Sequence, residues 1–231
     1  MILNFKKVLT FYSHPDDETL SAGATINKMI KNGTRVYVAI PNTGVHGRRN
    51  TVDAATRVQA LKALRKDTVH ALSILGIKES DLFLGEFSDN EMDKHTLLEL
   101  THWLENIIQT VKPDAIFTHH RFCTNIDHQY CHEAAVVATR PSVHSHIPLF
   151  CGEVPSSTGY LRPAMWEPNF YVNVEKEDVE AKIRAMEAYK IEARPDPHPR
   201  SPEVLRALAK VRGAEGGFFF GEAFMIQKIY S

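Results

Sequence analysis

The chain alternates short apolar runs with longer stretches in which apolar residues recur at helical spacing. Residues 8–12, Val-Leu-Thr-Phe-Tyr, read as a buried strand. After a polar turn, Leu20, Ala24, Ile26, Met29 and Ile30 mark a helix, and Asn32-Gly33 supplies its stop. The pattern then predicts a strand over 35–40 and a long helix over 53–75, with Val58, Leu61, Leu64, Val69, Leu72 and Leu75 inward and Gly76 at its end. A short strand over 81–85 follows, then a helix over 97–111 with Leu100, Trp103, Leu104 and Ile107 inward, and a fourth strand over 115–118. The next helical stretch runs to about residue 139 and ends before Pro141. Beyond it the signals weaken to strands over 149–154, 170–174 and 223–229 and a helix over 178–189 with Val179, Ile183 and Met186 inward. Ser201-Pro202 has the form of a cap followed by a first-turn proline, opening a short helix that carries Val204, Leu205, Leu208 and Val211. Strands alternating with helices imply an α/β fold with a mostly parallel sheet flanked by helices.

Composition narrows the class. At 231 residues the chain can bury a full core without disulfides, and a single domain over 1–231 is the expectation. A net charge of −1 gives no overall pull toward nucleic acid or an anionic membrane. The N-terminus lacks the form of a signal peptide, and no stretch is apolar and long enough to span a bilayer. Cys123, Cys131 and Cys151 are odd in number and lack CxxC spacing, which fits a reducing cytoplasm. Repeats and low-complexity tracts are absent.

Ser13-His14-Pro15-Asp16-Asp17-Glu18 crowds ionisable groups where the first strand ends and the first helix begins. Ligands of open α/β sheets bind at the carboxyl ends of strands, so this loop is where chemistry belongs. Imidazole with carboxylate suits Zn²⁺ or Fe²⁺, with one of Asp16 and Asp17 on the ion and the other facing its water. The plain alternative is that the acidic residues cap the helix, which leaves His14 unexplained. The fourth strand runs into the His-rich segment 119–128, which can supply a third ligand. His132 lies one turn beyond His128, without the HExxH form of a strong zinc signal, and reads as structural. The loop over 41–50 places Arg48 or Arg49 at the same sheet edge, to meet substrate hydroxyls or a phosphate. The proline-rich loop over 194–201 offers His198 and Arg200 as a pocket wall, or else a rigid connection.

Taken together, S-H-P-D-D-E after the first strand and N-I-D-H after the fourth resemble the paired signatures of the PIG-L/LmbE family, zinc-dependent deacetylases of N-acetylglucosamine derivatives with a Rossmann-like fold. Residues 153–158, 197–201 and 221–224 are similar to segments of bacterial members. The resemblance implies that His14, Asp17 and His128 bind the metal, that Asp16 is the general base and that Asp127 steadies the site from behind. It also implies a small-molecule amino-sugar substrate, with neither nucleic acid nor membrane insertion, and it allows a homo-oligomer. The chain departs from the family's commoner H-P-D-H at Asn125, which can donate a hydrogen bond to an oxyanion but is no acid at neutral pH. It departs again at Val45-His46, where a glutamate is frequent. The competing expectations are a non-haem iron enzyme, a phospho-acceptor receiver domain and a metal- or sugar-binding module without turnover.

Overall fold

The computed structural model describes residues 4–42, 54–142, 146–162 and 165–230. Its elements follow as β1 (Lys7–Phe11), α1 (Asp17–Lys31), β2 (Arg35–Asn42), α2 (Ala54–Leu75), β3 (Leu82–Phe87), α3 (Leu97–Val111), β4 (Ala115–His119), α4 (Ile126–Ala138), β5 (Leu149–Gly152), β6 (Phe170–Asn173), α5 (Lys176–Ala188), α6 (Pro202–Gly216) and β7 (Gly221–Lys228). The strands form one seven-stranded sheet in the order β3-β2-β1-β4-β5-β7-β6. β1 to β5 are parallel, while β7 runs antiparallel to both β5 and β6. β1 pairs with β2 on one side and β4 on the other, so the winding reverses between β1 and β4. In such sheets the reversal opens a crevice at the carboxyl ends of the two central strands. That crevice lies where His14 and the 119–128 segment leave the sheet.

Both faces of the sheet are covered, which is why its central strands read as unbroken apolar runs. Along β1 the side chains alternate: Val8, with Tyr12 just beyond the strand, joins the core beneath α1, α2, α5 and α6, and Leu9 and Phe11 join the core beneath α3 and α4. Each fully buried large apolar side chain contributes roughly 1.5–3 kcal/mol relative to exposure. α1 is buried from Asp17 through Asn27. Its small residues permit this depth, since a Cβ on Gly23 would stand 3.0 Å from Lys182 Cγ of α5. A buried carboxylate ties the layer together: Glu222 of β7 accepts the N–H groups of Ala24 and Thr25 at 3.2 and 2.7 Å and the Lys182 ammonium at 2.6 Å.

Helix ends follow the sequence signals. Gly33 and Gly76 take φ of 88° and 97°, a backbone that side chains resist, just past α1 and α2. Ser201 accepts from Val204 N at 3.2 Å as the cap of α6. One expected core residue lies outside, Val58 at 50% exposure, and Val211 of α6 is likewise 51% exposed. The buried stripe of α2 runs through Leu64, Ala71, Leu72 and Leu75 and that of α6 through Leu205 and Ala209. Val58 and Val211 each stand six residues from an anchor of their stripe, about 240° around a helix of 3.6 residues per turn. β5 ends at Gly152 rather than 154, and β3 and β7 extend beyond or before the expected 81–85 and 223–229. Among the described residues no helix is long and apolar enough to cross a membrane.

Candidate active site

Asp16 sets the geometry of the first loop. Its φ of 114° and ψ of −29° lie on the left-handed side that non-glycine residues avoid, a strain on the order of 1–3 kcal/mol. It occupies the N-cap of α1, where Leu20 N donates to its carbonyl oxygen at 2.8 Å, yet its side chain makes no capping bond. Capping therefore does not account for its carboxylate. The twist sends the two neighbouring aspartates apart. Asp17 Oδ2 accepts the backbone N–H of His14 at 3.1 Å and faces His14 Nδ1 at 3.0 Å and His128 Nε2 at 3.1 Å. Asp16 Oδ2 lies 3.0 Å from Arg200 Nη1, at an angle that is not a hydrogen bond, so its acceptor position stays open among the described residues.

The second loop is organised by Asn125, whose side-chain oxygen accepts Asp127 N at 2.8 Å and caps α4. The cap places Asp127 and His128 in the first turn, turned back toward β1. Asp127 is fully buried and accepts from four partners: Asn42 Nδ2 at 2.7 Å, Asn90 N at 2.6 Å, Met92 N at 3.0 Å and His14 Nε2 at 3.0 Å. It therefore grips the far edge of the His14 ring, the arrangement by which a carboxylate orients a ligating histidine. Asp89 Oδ1 approaches the same nitrogen at 3.1 Å. The His119 ring stacks on His128 at 3.8 Å, and Ser157 Oγ lies 3.3 Å from His128 Nδ1.

The ligand atoms of His14, Asp17 and His128 all lie within 4.8 Å of one another. Donors about 2.0–2.2 Å from one tetrahedral ion stand roughly 3.3–3.5 Å apart, close to the 3.0 and 3.1 Å separations from Asp17 to the two imidazoles. Two imidazoles and a carboxylate thus fit a divalent cation. His119, Cys123 and His128 form another cluster within the same distance. There, burial pushes the Cys123 thiol up to about 12, and His119 Nε2 already accepts Ser13 N at 2.8 Å. His132 gives its Nδ1 to the carbonyl oxygen of His119 at 3.0 Å, the structural role its lone position suggests.

The paired aspartates carry opposite electrostatics. Burial raises the Asp16 carboxyl well above the usual carboxylate range; Arg200 opposes the rise, and Asp17, Glu192 and Glu18 reinforce it. Burial also presses on Asp17, but His128, His119 and His14 overcome it and hold that carboxyl well below the usual range.

These groups open onto a cavity of about 400 Å³. Asp16, Asn125, His198 and Arg200 all reach its wall, so both loops named from sequence and the proline-rich loop converge there. Arg200 also pairs with Glu192, and its backbone N–H donates to His198 Nδ1 at 3.1 Å. Arg48 lies outside the described residues. Sequence reasoning missed Asn42, Asp89, Asn90, Ser157 and Glu192. A polar cluster at the carboxyl end of β3, Ser88-Asp89-Asn90, was the available signal for two of them; the others come from elements whose convergence only the fold supplies.

Residues 9–139 match the PIG-L family, GlcNAc-PI de-N-acetylase. A probable N-acetyl-α-D-glucosaminyl L-malate deacetylase of Bacillus cereus is 31% identical over 114 residues, 49% of this chain and 51% of that protein. The N,N'-diacetylchitobiose deacetylase of Pyrococcus horikoshii superposes with a TM-score of 0.78 at 22% identity, over 97% of this chain and 84% of its own. The 4-carboxy-2-hydroxymuconate hydratase of Pseudomonas putida KT2440 shares the fold with a TM-score of 0.74 at 17% identity, over 98% of each chain. One fold thus houses two chemistries, and the reaction must be argued from the site. With more than half of its length matched, the chain belongs to the PIG-L family.

Proposed function

We propose that the chain is a metal-dependent N-deacetylase that releases acetate from N-acetylated amino sugars, with His14, Asp17 and His128 holding the ion, Zn²⁺ foremost and Fe²⁺ the alternative. The observation that carries this reading is the meeting of two imidazoles and a carboxylate beside Asp16, which lines the same cavity and whose Oδ2 has no hydrogen-bond partner among the described residues. The family and the sugar substrates of its relatives support the substrate class. A divalent cation held there would acidify water and polarise the amide carbonyl.

The chain's own residues supply the rest. Asp16 accepts the proton of the attacking water and, with its carboxyl raised by burial, returns it to the departing amine, so one group serves as base and then acid. Arg200, braced by Glu192, holds that carboxylate in place. Asp127 fixes the His14 ring through Nε2. Asn125 spends one amide hydrogen on Asn90 Oδ1 at 2.9 Å and has a second to offer the oxyanion. Burial, with Arg200 and Arg194 nearby, lowers the pKa of His198, which suits a neutral wall for sugar hydroxyls better than an acid. The three cysteines are buried and free, with thiols raised by burial, which suits a reducing cytoplasmic setting.

The test is acetate release from a panel of N-acetylated amino sugars by protein that is metal-loaded, stripped with chelator, then reloaded. Release in the loaded states alone is expected. No acetate from any sugar in any loading, or water addition to an unsaturated acid in its place, overturns the assignment.

A further inference from the structure

The atoms that converge at the proposed ion site are Asp17 Oδ2, His14 Nδ1 and His128 Nε2, since Asp17 Oδ2 faces the two nitrogens at 3.0 and 3.1 Å. To leave a lone pair for a cation, each imidazole needs its proton on the nitrogen that points away, Nε2 of His14 and Nδ1 of His128. Asp127 receives the first of these protons. The second has Ser157 Oγ, 3.3 Å from His128 Nδ1, as its acceptor among the described residues. The His119 ring, 3.8 Å away and 15° from parallel, fixes the plane of the His128 ring. Stacking alone leaves a choice open. A half-turn about Cβ–Cγ keeps that plane and puts Cε1 where Nε2 stood, with no lone pair for an ion. The hydrogen bond to Ser157 removes the choice.

We propose that Ser157 is a positioning residue that holds His128 in the one orientation and tautomer able to bind a cation. The inference rests on the metal reading of the site, because without an ion neither tautomer has a task. Ser157 is buried, and its backbone is tied to the loop that carries His128. Its carbonyl oxygen accepts Thr124 N at 3.0 Å and Thr124 Oγ1 at 3.3 Å, and Cys123 forms an antiparallel bridge with Thr158. Ser157 N donates to the carbonyl oxygen of Val154 at 2.9 Å and closes the turn that presents the hydroxyl. Residues 153–158, singled out in the sequence by resemblance alone, thus brace the 119–128 segment from the end of β5. A neutral hydroxyl accepts less strongly than the carboxylate behind His14. The expected effect therefore lies at the low end of the range usual for such partners, about 10–100-fold in metal affinity.

The experiment measures zinc affinity by competition with a chromophoric chelator in the wild type, Ser157→Ala and Ser157→Thr, and follows urea unfolding of the same proteins without metal. Ser157→Ala is expected to bind zinc about tenfold more weakly, with the metal-free urea midpoint unchanged. Ser157→Thr, which keeps the hydroxyl, should bind within about twofold of the wild type. Ser157→Asn, with an amide oxygen as acceptor, takes the place of the threonine if the added methyl prevents folding. Equal zinc affinity in the wild type and a folded Ser157→Ala variant overturns the role. So does a loss of affinity that tracks a loss of metal-free stability, or one that no folded variant with an acceptor restores. A wild type that binds neither zinc nor ferrous iron overturns the metal centre itself, a failure distinct from that of a bound ion indifferent to Ser157.

Discussion

Asp16 and Asp17 are chemically identical neighbours in opposite electrostatic surroundings, and one backbone angle separates them. The φ of 114° at Asp16 aims its carboxylate at Arg200 and away from the imidazoles that hold Asp17. Asp16→Asn keeps the shape and removes the proton acceptor. The variant should retain its metal, measured by elemental analysis, and lose about 10²–10⁴ in rate; full activity would reassign the base. Asn125→Ala tests the departure from the commoner histidine. It should keep the metal, slow turnover by about 10²–10³ and lose about 1 kcal/mol of stability with the cap of α4. An unchanged rate would remove Asn125 from the reaction.

Among elements, the seam between α1, α5 and β7 bears on how rigidly the first loop is held. Lys182 and Glu222 are both buried, and Glu222 also satisfies two N–H groups of α1. Removing one partner of a buried pair strands the other. Glu222→Gln is therefore expected to destabilise the fold by about 3–5 kcal/mol in urea unfolding, with a loss under 1 kcal/mol contradicting the seam's importance. The segment 221–224, picked out from sequence only as a resemblance, thus has a structural explanation. Element types were legible because buried parallel strands and amphipathic helices leave different periods. Val58 was misplaced because an apolar residue near a stripe is not on it until the helix phase is known.

For the molecule as a whole, the proposed ion site lies in a crevice at the sheet edge, outside the two cores. Chelation should accordingly lower the melting temperature and leave the fold intact. At ion concentrations about 100 times Kd the linked stabilisation is roughly 2.7 kcal/mol, or about 5–10 °C for a chain of this size. Loss of secondary structure on chelation would make the metal part of the folding core. Acid should act separately. Burial lowers the His120 pKa to about 4 from an unfolded value near 6.5. The folded chain then resists the proton that the unfolded chain takes up, so this stability is full above about pH 6.5 and falls as pH drops toward about 4. The denaturation midpoint in chelator should decline across that window, less steeply for His120→Gln; equal slopes would remove His120 from the acid response.

The amino-acid sequence by itself determined the alternation of strands and helices, the helix stops at Gly33 and Gly76, and the two loops carrying His14, Asp17 and His128. Each follows from local spacing, backbone preference or a motif confined to a few residues. Only the tertiary structure decided that those loops face each other, since the β1–β4 reversal joins segments more than a hundred residues apart. The same folding placed Arg200 against Asp16 and Asn42 beneath Asp127, because contact among distant segments comes from sheet order and layer packing, which no local pattern encodes.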